Sequence, residues 1–451
     1  MRKINTFIIS LIIVLAFTEG AISLIGPSES SMRTLRELLI IILFLSSIVQ
    51  SSVNKSYLFG GIKKYWYLGI NYILLLFVIA IISMIYNGKS GIEFFLFFLR
   101  VLPPILFFWA IVKINFNVDY IVRVLKVMVI LQIPAILIKF LIIGISESGG
   151  IGTMSVHAGS LSTIFPLFVI AFALSFYLTR KNKWYILVVF VYLMFGLVGG
   201  KRALIVYTPL VSIIILFFHN ISFYTKSRTS FIKQLMVMLM FGFVSFYFIA
   251  RFNSSLNPEQ KVWGSFDIDH IINVSSAYNS ATYELGFSRS DAPKVVYSFL
   301  TEKNDIMFML FFGLGPGDII QSSLNNQFPG VKNDRQLLMR KYGLGYGVRT
   351  GVLWTVMQVG ILGALFYVLF ILKFVRSIFK ILKSSNNIRI KEFCLALIGM
   401  GFVVLMDYFT YSSTFFYVGA ISNSFFLLGA VVFKRISQER SSLLLSYIKK
   451  T

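Results

Sequence analysis

Ten of the chain's 42 Lys and Arg residues, Arg251, Lys261, Arg289, Lys294, Lys303, Lys332, Arg335, Arg340, Lys341 and Arg349, fall in or at the edge of one polar stretch. A guanidinium is a permanently charged planar fork whose N–H groups match two oxygens of an oxyanion at once. Apolar runs flank the stretch on both sides, and the Lys/Arg distribution along the chain puts it outside the cell. Membrane proteins carry few cations there. Cations kept against that bias point to an anionic substrate held at the membrane surface. The leading candidates for chemistry are Arg202, at the outer mouth of an apolar run, Arg289, in Phe287-Ser288-Arg289-Ser290, and Arg349, just ahead of another run. Lys201, Arg251, Arg340 and Arg100 form a supporting set for binding the same anion. Arg100 lies in the outer half of a predicted span, facing that cavity or snorkelling to the surface.

The elements that must position these residues are membrane helices. Hydrophobic residues make up 57% of the chain, charged residues 13%, and the mean hydropathy is +0.81. A water-soluble core of this length needs no such excess, so the class is a polytopic all-α membrane protein. The formal net charge of +24 does not imply nucleic acid, because the cations sit in short clusters between apolar runs. Cys394 is the single cysteine and lies in an apolar run, which excludes an internal disulfide.

Apolar runs long enough to cross ~30 Å of hydrocarbon number about twelve. They fall near 4–25, 36–53, 65–86, 93–115, 118–145, 160–179, 184–200, 203–219, 231–251, 352–377, 391–409 and 414–433. With the N-terminus in the cytoplasm, Arg180, Lys181, Lys183, Lys226, Arg228, Lys373, Arg376 and Lys380 all fall inside, together with the basic tail. Both termini are then cytoplasmic. The predicted organisation is nine spans in 1–251, a large outer loop over 252–351, three spans in 352–433 and a basic tail over 434–451. Within the loop, Ile306 to Phe312 is too short to span and reads as an interfacial or re-entrant piece.

Few ionisable groups fall inside the spans: Glu19, Arg100, Lys126, Lys139 and Asp407. An ion relay needs acids near the midplane, whereas Glu19 and Asp407 lie near outer ends and read as interfacial. His270, Asp291 and Asp318 are on the correct side to act as a general base, as are Glu284 and Asp305. Asp267-Ile268-Asp269-His270 has the composition of a metal site, but such residues are common in polar loops, and no metal or other cofactor is expected. Gly313, Gly315 and Gly317 read as a tight turn holding the loop. No strand precedes them, so a nucleotide cradle is not implied.

Three segments carry a family resemblance. Gly199-Gly200-Lys201-Arg202-Ala203-Leu204-Ile205 resembles the segment that opens a membrane helix in bacterial O-antigen polymerases and O-antigen ligases. Gly313-Leu314-Gly315-Pro316-Gly317 is similar to a glycine-rich segment in the large outer loop of that family. From Arg349 to Gly363, Leu353, Gln358, Gly360 and Gly363 fit its entry into the next helix. The order and topology match over roughly the second half of the chain. Where ligases carry a histidine, eleven residues before the first glycine of the last motif, this chain has Arg349. That departure favours the polymerase branch, and Arg340 with Gly351 satisfies a spacing described for some polymerases.

The resemblance implies an arrangement like that of C-type glycosyltransferases and an enzyme of the bacterial cytoplasmic membrane. Its activity would be polymerising oligosaccharide repeat units carried on polyprenyl pyrophosphate, as in O-antigen or capsule synthesis of the cell envelope. Such transfer breaks a C1–O bond while negative charge grows on the departing pyrophosphate, and arginines aimed at that charge can stand in for a metal. The implied partners are the polyprenyl-pyrophosphate-linked oligosaccharide, the lipid bilayer, a chain-length regulator and a separate flippase, with no nucleic acid. The alternatives are a ligase moving finished glycan to another acceptor and, in a different class, a flippase or exporter of lipid-linked oligosaccharides.

Overall fold

The computed structural model describes residues 2–53, 69–144, 149–156, 159–199, 201, 203–223, 291–302, 305–317, 350–411 and 418–448, with single residues at 232, 236, 240 and 247. Among them the regular structure is helical: α1 (Arg2–Ser23), α2 (Glu29–Val53), α3 (Ile70–Tyr86), α4 (Gly91–Val101), α5 (Pro103–Lys113), α6 (Val118–Ile143), α7 (Leu161–Arg180), α8 (Trp184–Val198), α9 (Ala203–Phe223), α10 (Ala292–Thr301), α11 (Ile306–Phe312), α12 (Gly351–Ser384), α13 (Ile388–Thr410) and α14 (Gly419–Ile448), with a 3-10 turn at Gly149–Ile151. In hydrocarbon every backbone polar group needs an internal partner, and a helix supplies one without help from a neighbour. Polar caps set several starts. Ser90 and Glu93 make a reciprocal capping box for α4, and the side chains of Asn117 and Thr350 accept from Tyr120 N and Leu353 N.

The described residues hold fewer membrane-crossing helices than the expected twelve. Seven are long and apolar enough, α1, α6, α7, α9, α12, α13 and the Gly419–Glu439 part of α14, and the pair α4–α5 makes an eighth if counted as one span. That pair bends by 54° because Pro103 and Pro104 open α5, where a ring replaces the N–H that would continue the ladder. α3 and α8 have 17 and 15 residues, or about 26 and 23 Å of helix, short of a full crossing. α2 opens on Glu29, Arg33, Arg36 and Glu37, ahead of an apolar stretch that begins at Leu38. The run at 231–251 lies outside the described residues, apart from isolated positions.

α7 is the hub, with 94% of its apolar window buried. It packs against α8, α9 and α13, while α13 continues to α12 and α14; the remaining helices wrap as α14–α5, α5–α2 and α2–α1. A helix apolar on every face belongs in such a position. Close approach is set by small residues: a methyl on Gly399 would press on Ile215, and one on Gly401 on Val375.

The bundle has two ends. At one, the basic end, Arg180 Nε and Nη2 clasp the fully buried Glu392 at 2.6 and 2.5 Å, Arg435 reaches Asp119 at 2.7 Å, and Lys391 donates to Ser222 O. At the other, the loop end, Gly351 N donates to Tyr411 O, Tyr86 Oη to Asp305, and Ser155 Oγ to Glu29.

Candidate functional site

The loop end is organised around a break in α12. Val359 (φ −132°, ψ 18°) and Gly360 (φ 69°, ψ −176°) leave helical geometry, so the carbonyls of Met357 and Gln358 lose their partners one turn ahead. The glycine-rich segment replaces them. Leu314 N donates to Met357 O at 2.8 Å and Gly315 N to Gln358 O at 3.2 Å, while Gly317 N donates to the Gln358 side chain at 2.9 Å. Its other edge holds α3: Gly313 O accepts from Asn87 Nδ2 and Ser83 Oγ. The φ of Gly313, Gly315 and Gly317 is positive, and a methyl there would strike the backbone at Gln358–Gly360, Lys89 and the Glu93 backbone. All five residues of the segment are buried. Irregular backbone about 14 Å along α12 from its first residue is tolerable for that reason. The turn read from the sequence is thus a splint between a broken membrane helix and the α3–α4 corner. α11 leads into it, with Tyr86 stacked on Phe308 and its hydroxyl bonded to Asp305 at 2.6 Å.

A charged cluster lies nearby, across α1, α2 and α4. Arg36 is 4% exposed and is paired with Glu19, itself 2% exposed; its Nη2 stands 3.8 Å from Glu37. Arg33 and Arg100 also act on Glu37 electrostatically. Arg33, Arg36 and Glu37 share a face of α2 because residues three and four apart align on a helix. The Arg36 guanidinium abuts Gly419, where any Cβ would collide with its Cζ and Nη1, so the first turn of α14 closes over the pair. Around it, Lys89 approaches Glu93 at 3.9 Å and Lys139 Nζ donates to Ser155 O.

Of the residues chosen from sequence, Arg202, Arg289, Arg349, Arg251, Arg340, His270 and Asp318 lie outside the described residues. So does Asp267-Ile268-Asp269-His270; among the described residues no group of His, Cys, Asp or Glu is arranged to hold a metal ion. Lys201 is half-buried, its backbone joining Gly196 to Leu204 at the start of α9. Asp291 precedes α10 and accepts through its backbone from Val295, without capping by its side chain. Asp305 is exposed, and the Tyr86 hydroxyl and Phe308 N–H hold its carboxyl below the usual carboxylate range. Arg100 is the predicted binding residue that the fold joins to a partner it had not been given, Glu37, on which Arg33 and Arg36 also act. Arg33 and Arg36 were visible only as short-loop cations and Glu19 as an interfacial acid. The signal that could have linked them is the run of charges entering an apolar helix at 29–37. Neither a family model nor a curated protein matches the chain. The family likeness accordingly rests on the three short motifs alone.

Proposed function

We propose that this polytopic membrane protein is a glycosyltransferase that polymerises oligosaccharide repeat units carried on polyprenyl pyrophosphate, working at the outer face of a bacterial cytoplasmic membrane. The observation that supports it best is the gathering of cations where the large loop is fastened to the bundle. Arg33, Arg36 and Arg100 lie inside the loop end, and the glycine-rich segment of the loop is built into the adjoining helix break. On this reading Arg202, Arg289 and Arg349, supplied by the loop and by the α8–α9 turn, bind and neutralise the departing pyrophosphate. The growing glycan passes from that leaving group to a hydroxyl of the incoming lipid-linked unit, and a carboxylate or histidine on the same side takes the hydroxyl proton. No metal or nucleotide is needed, since the lipid-linked donor carries its own leaving group.

A transporter reading draws on one observation, that Arg36 and Arg100 lie within helices, as cations lining a translocation path do. Against it, one cavity among the described residues, between α1, α6, α7, α13 and α14, is lined mainly by Phe17, Phe165, Phe168, Phe172 and other apolar side chains, with Lys126 turned to Tyr185 at 3.2 Å. Purified protein given synthetic polyprenyl-pyrophosphate repeat units and no nucleotide should make products spaced by one repeat. Folded protein that moves labelled lipid across vesicles without elongating it would establish the transporter instead. Orientation is checked separately: Ser276→Cys in a Cys394→Ala background should react with an impermeant thiol reagent on intact spheroplasts, and labelling only after lysis would reverse the assignment.

A further inference from the structure

The face that α12 leaves uncovered changes character along its length. Beyond the break, Ile361, Leu365, Leu372, Arg376, Lys380 and Lys383 are exposed and follow one another at intervals of four, seven, four, four and three residues. At 3.6 residues per turn they fall within an arc of about 100°. Phe374, Ile378 and Leu382, on the opposite side, are buried against the bundle. The apolar members come first and the cations follow. From Ile361 to Leu372 is about 16 Å of helix, and one leaflet of hydrocarbon is about 15 Å thick. The cations then run on for about 10 Å, from Arg376 to Lys383. Lys373, half-buried with its stem against Gly69 at the start of α3, stands at the junction of the two halves.

Two general reasons for basic residues at this end leave the pattern unexplained. The Lys/Arg bias of membrane proteins sets how many cations an end carries and does not align them on one face. Compensation of the helix dipole acts within the last turn, which includes Lys383 but neither Arg376 nor Lys380. Nor do these cations fasten helices. Arg180, Arg435 and Lys391 at the same end are tied to Glu392, Asp119 and Ser222 O, whereas Arg376 and Lys380 have no ion-pair or hydrogen-bond partner among the described residues, and Lys383 lies over the Phe379 ring. We propose that this face of α12 binds an anionic glycerophospholipid of the leaflet at the basic end, its chains along Ile361, Leu365 and Leu372 and its phosphate among Arg376, Lys380 and Lys383. An acidic protein would meet the cations and leave the apolar stretch unused; a lipid uses both, in this order and at this spacing. None of these residues belongs to the proposed catalytic set, so the site stands or falls apart from the polymerising reading.

The test is lipid binding by the purified full chain in non-ionic detergent, counted by native mass spectrometry during titration with phosphatidylglycerol and, separately, with phosphatidylcholine of the same chains. Phosphatidylglycerol should bind about tenfold or more tightly than phosphatidylcholine. Arg376→Gln, Lys380→Gln and Lys383→Gln should each weaken it about fivefold, the factor expected for one basic residue at an anionic surface, and the triple variant about a hundredfold. Arg389→Gln, which removes an exposed cation of the same end from α13, should leave it unchanged. Glycerol 3-phosphate, a headgroup without chains, should not compete even in large excess. Three results would overturn the site. Equal binding of the two lipids means that the headgroup is not read, a loss from Arg389→Gln as large as from Lys380→Gln means that binding follows net charge alone, and displacement by glycerol 3-phosphate means that the apolar stretch takes no part. The substituted side chains are exposed, so the variants should unfold at the wild-type temperature, and the comparison of the two lipids needs no variant at all.

Discussion

The two ends of the bundle handle charge in opposite ways. At the basic end two ion pairs are isolated and closely made, Arg180 with Glu392 through two short hydrogen bonds and Arg435 with Asp119, while Lys391 donates to the carbonyl of Ser222. At the loop end Arg33, Arg36 and Arg100 all act on Glu37, and Arg36 is also paired with Glu19. Closed pairs fix helices to one another. A shared cluster instead ties α1, α2 and α4 together through several charges at once. The same residue types therefore make isolated pairs at one end and a shared cluster at the other.

The comparison is broken most directly at the loop end. Arg202→Ala, Arg289→Ala and Arg349→Ala should each lower turnover by roughly a hundredfold or more if each removes a donor aimed at the leaving group. Lys replacements should rescue in part, keeping the charge without the fork, and Lys332→Ala should stay near wild type. Near-normal polymer from all three alanine variants, at equal amounts of extracted protein, would withdraw them from the chemistry.

At the basic end the effect should fall on stability. Arg180→Ala leaves Glu392 buried without its clasp and should cost about 3 kcal/mol, read by thermal unfolding, with activity per folded molecule unchanged. Arg180→Leu/Glu392→Leu should recover most of that loss. If the double variant is no better than the single, the clasp is not the reason Glu392 is tolerated.

A smaller effect sharpens the role of the splint. Gln358→Leu removes the acceptor for Gly317 N and should cost about 1–3 kcal/mol of local stability, seen as faster amide exchange at 313–317. Gly317→Ala should do more, because its positive φ and the adjacent Glu93 backbone leave no place for a methyl. Unchanged exchange in both would mean that the segment is held by its flanking helices alone.

The smallest effect is pH-dependent. Asp305 has its folded pKa lowered by Tyr86 and Phe308, so its contribution is present above the ordinary aspartate pKa and is lost as pH falls through the lowered value. Amide exchange in α11, corrected for its intrinsic rate, should be flat from pH 8 to 5 and rise only in stronger acid. Tyr86→Phe should move that rise to higher pH. A change near neutrality would implicate another group.

The helical, multi-pass character was legible at once, because apolar runs of membrane length have one way to satisfy their backbone. Span number was less so. Hydropathy cannot see that Pro103-Pro104 bends one run by 54°, or that the helices α3 and α8 stop at 17 and 15 residues. Gly313 to Gly317 was recognisable as a turn, since glycine repeats mark positive φ, but its partners are some forty residues away on α12 and were not. Arg100 was noticed for its depth, whereas its company was hidden: Glu19, Arg33 and Arg36 belong to helices far from it in sequence.

The sequence alone determined the class, the period of the helices, the asymmetry of Lys and Arg and the presence of arginines suited to oxyanions, because each depends on composition or on neighbours within a turn or two. Only the tertiary structure decided that α12 breaks at Gly360 and is repaired by a distant loop, and that Arg33, Arg36 and Arg100 converge on Glu37. Both arise from contacts between elements distant in the chain, where burial sets the strength of a charge or an unmet hydrogen bond, and burial is not a property of any single segment.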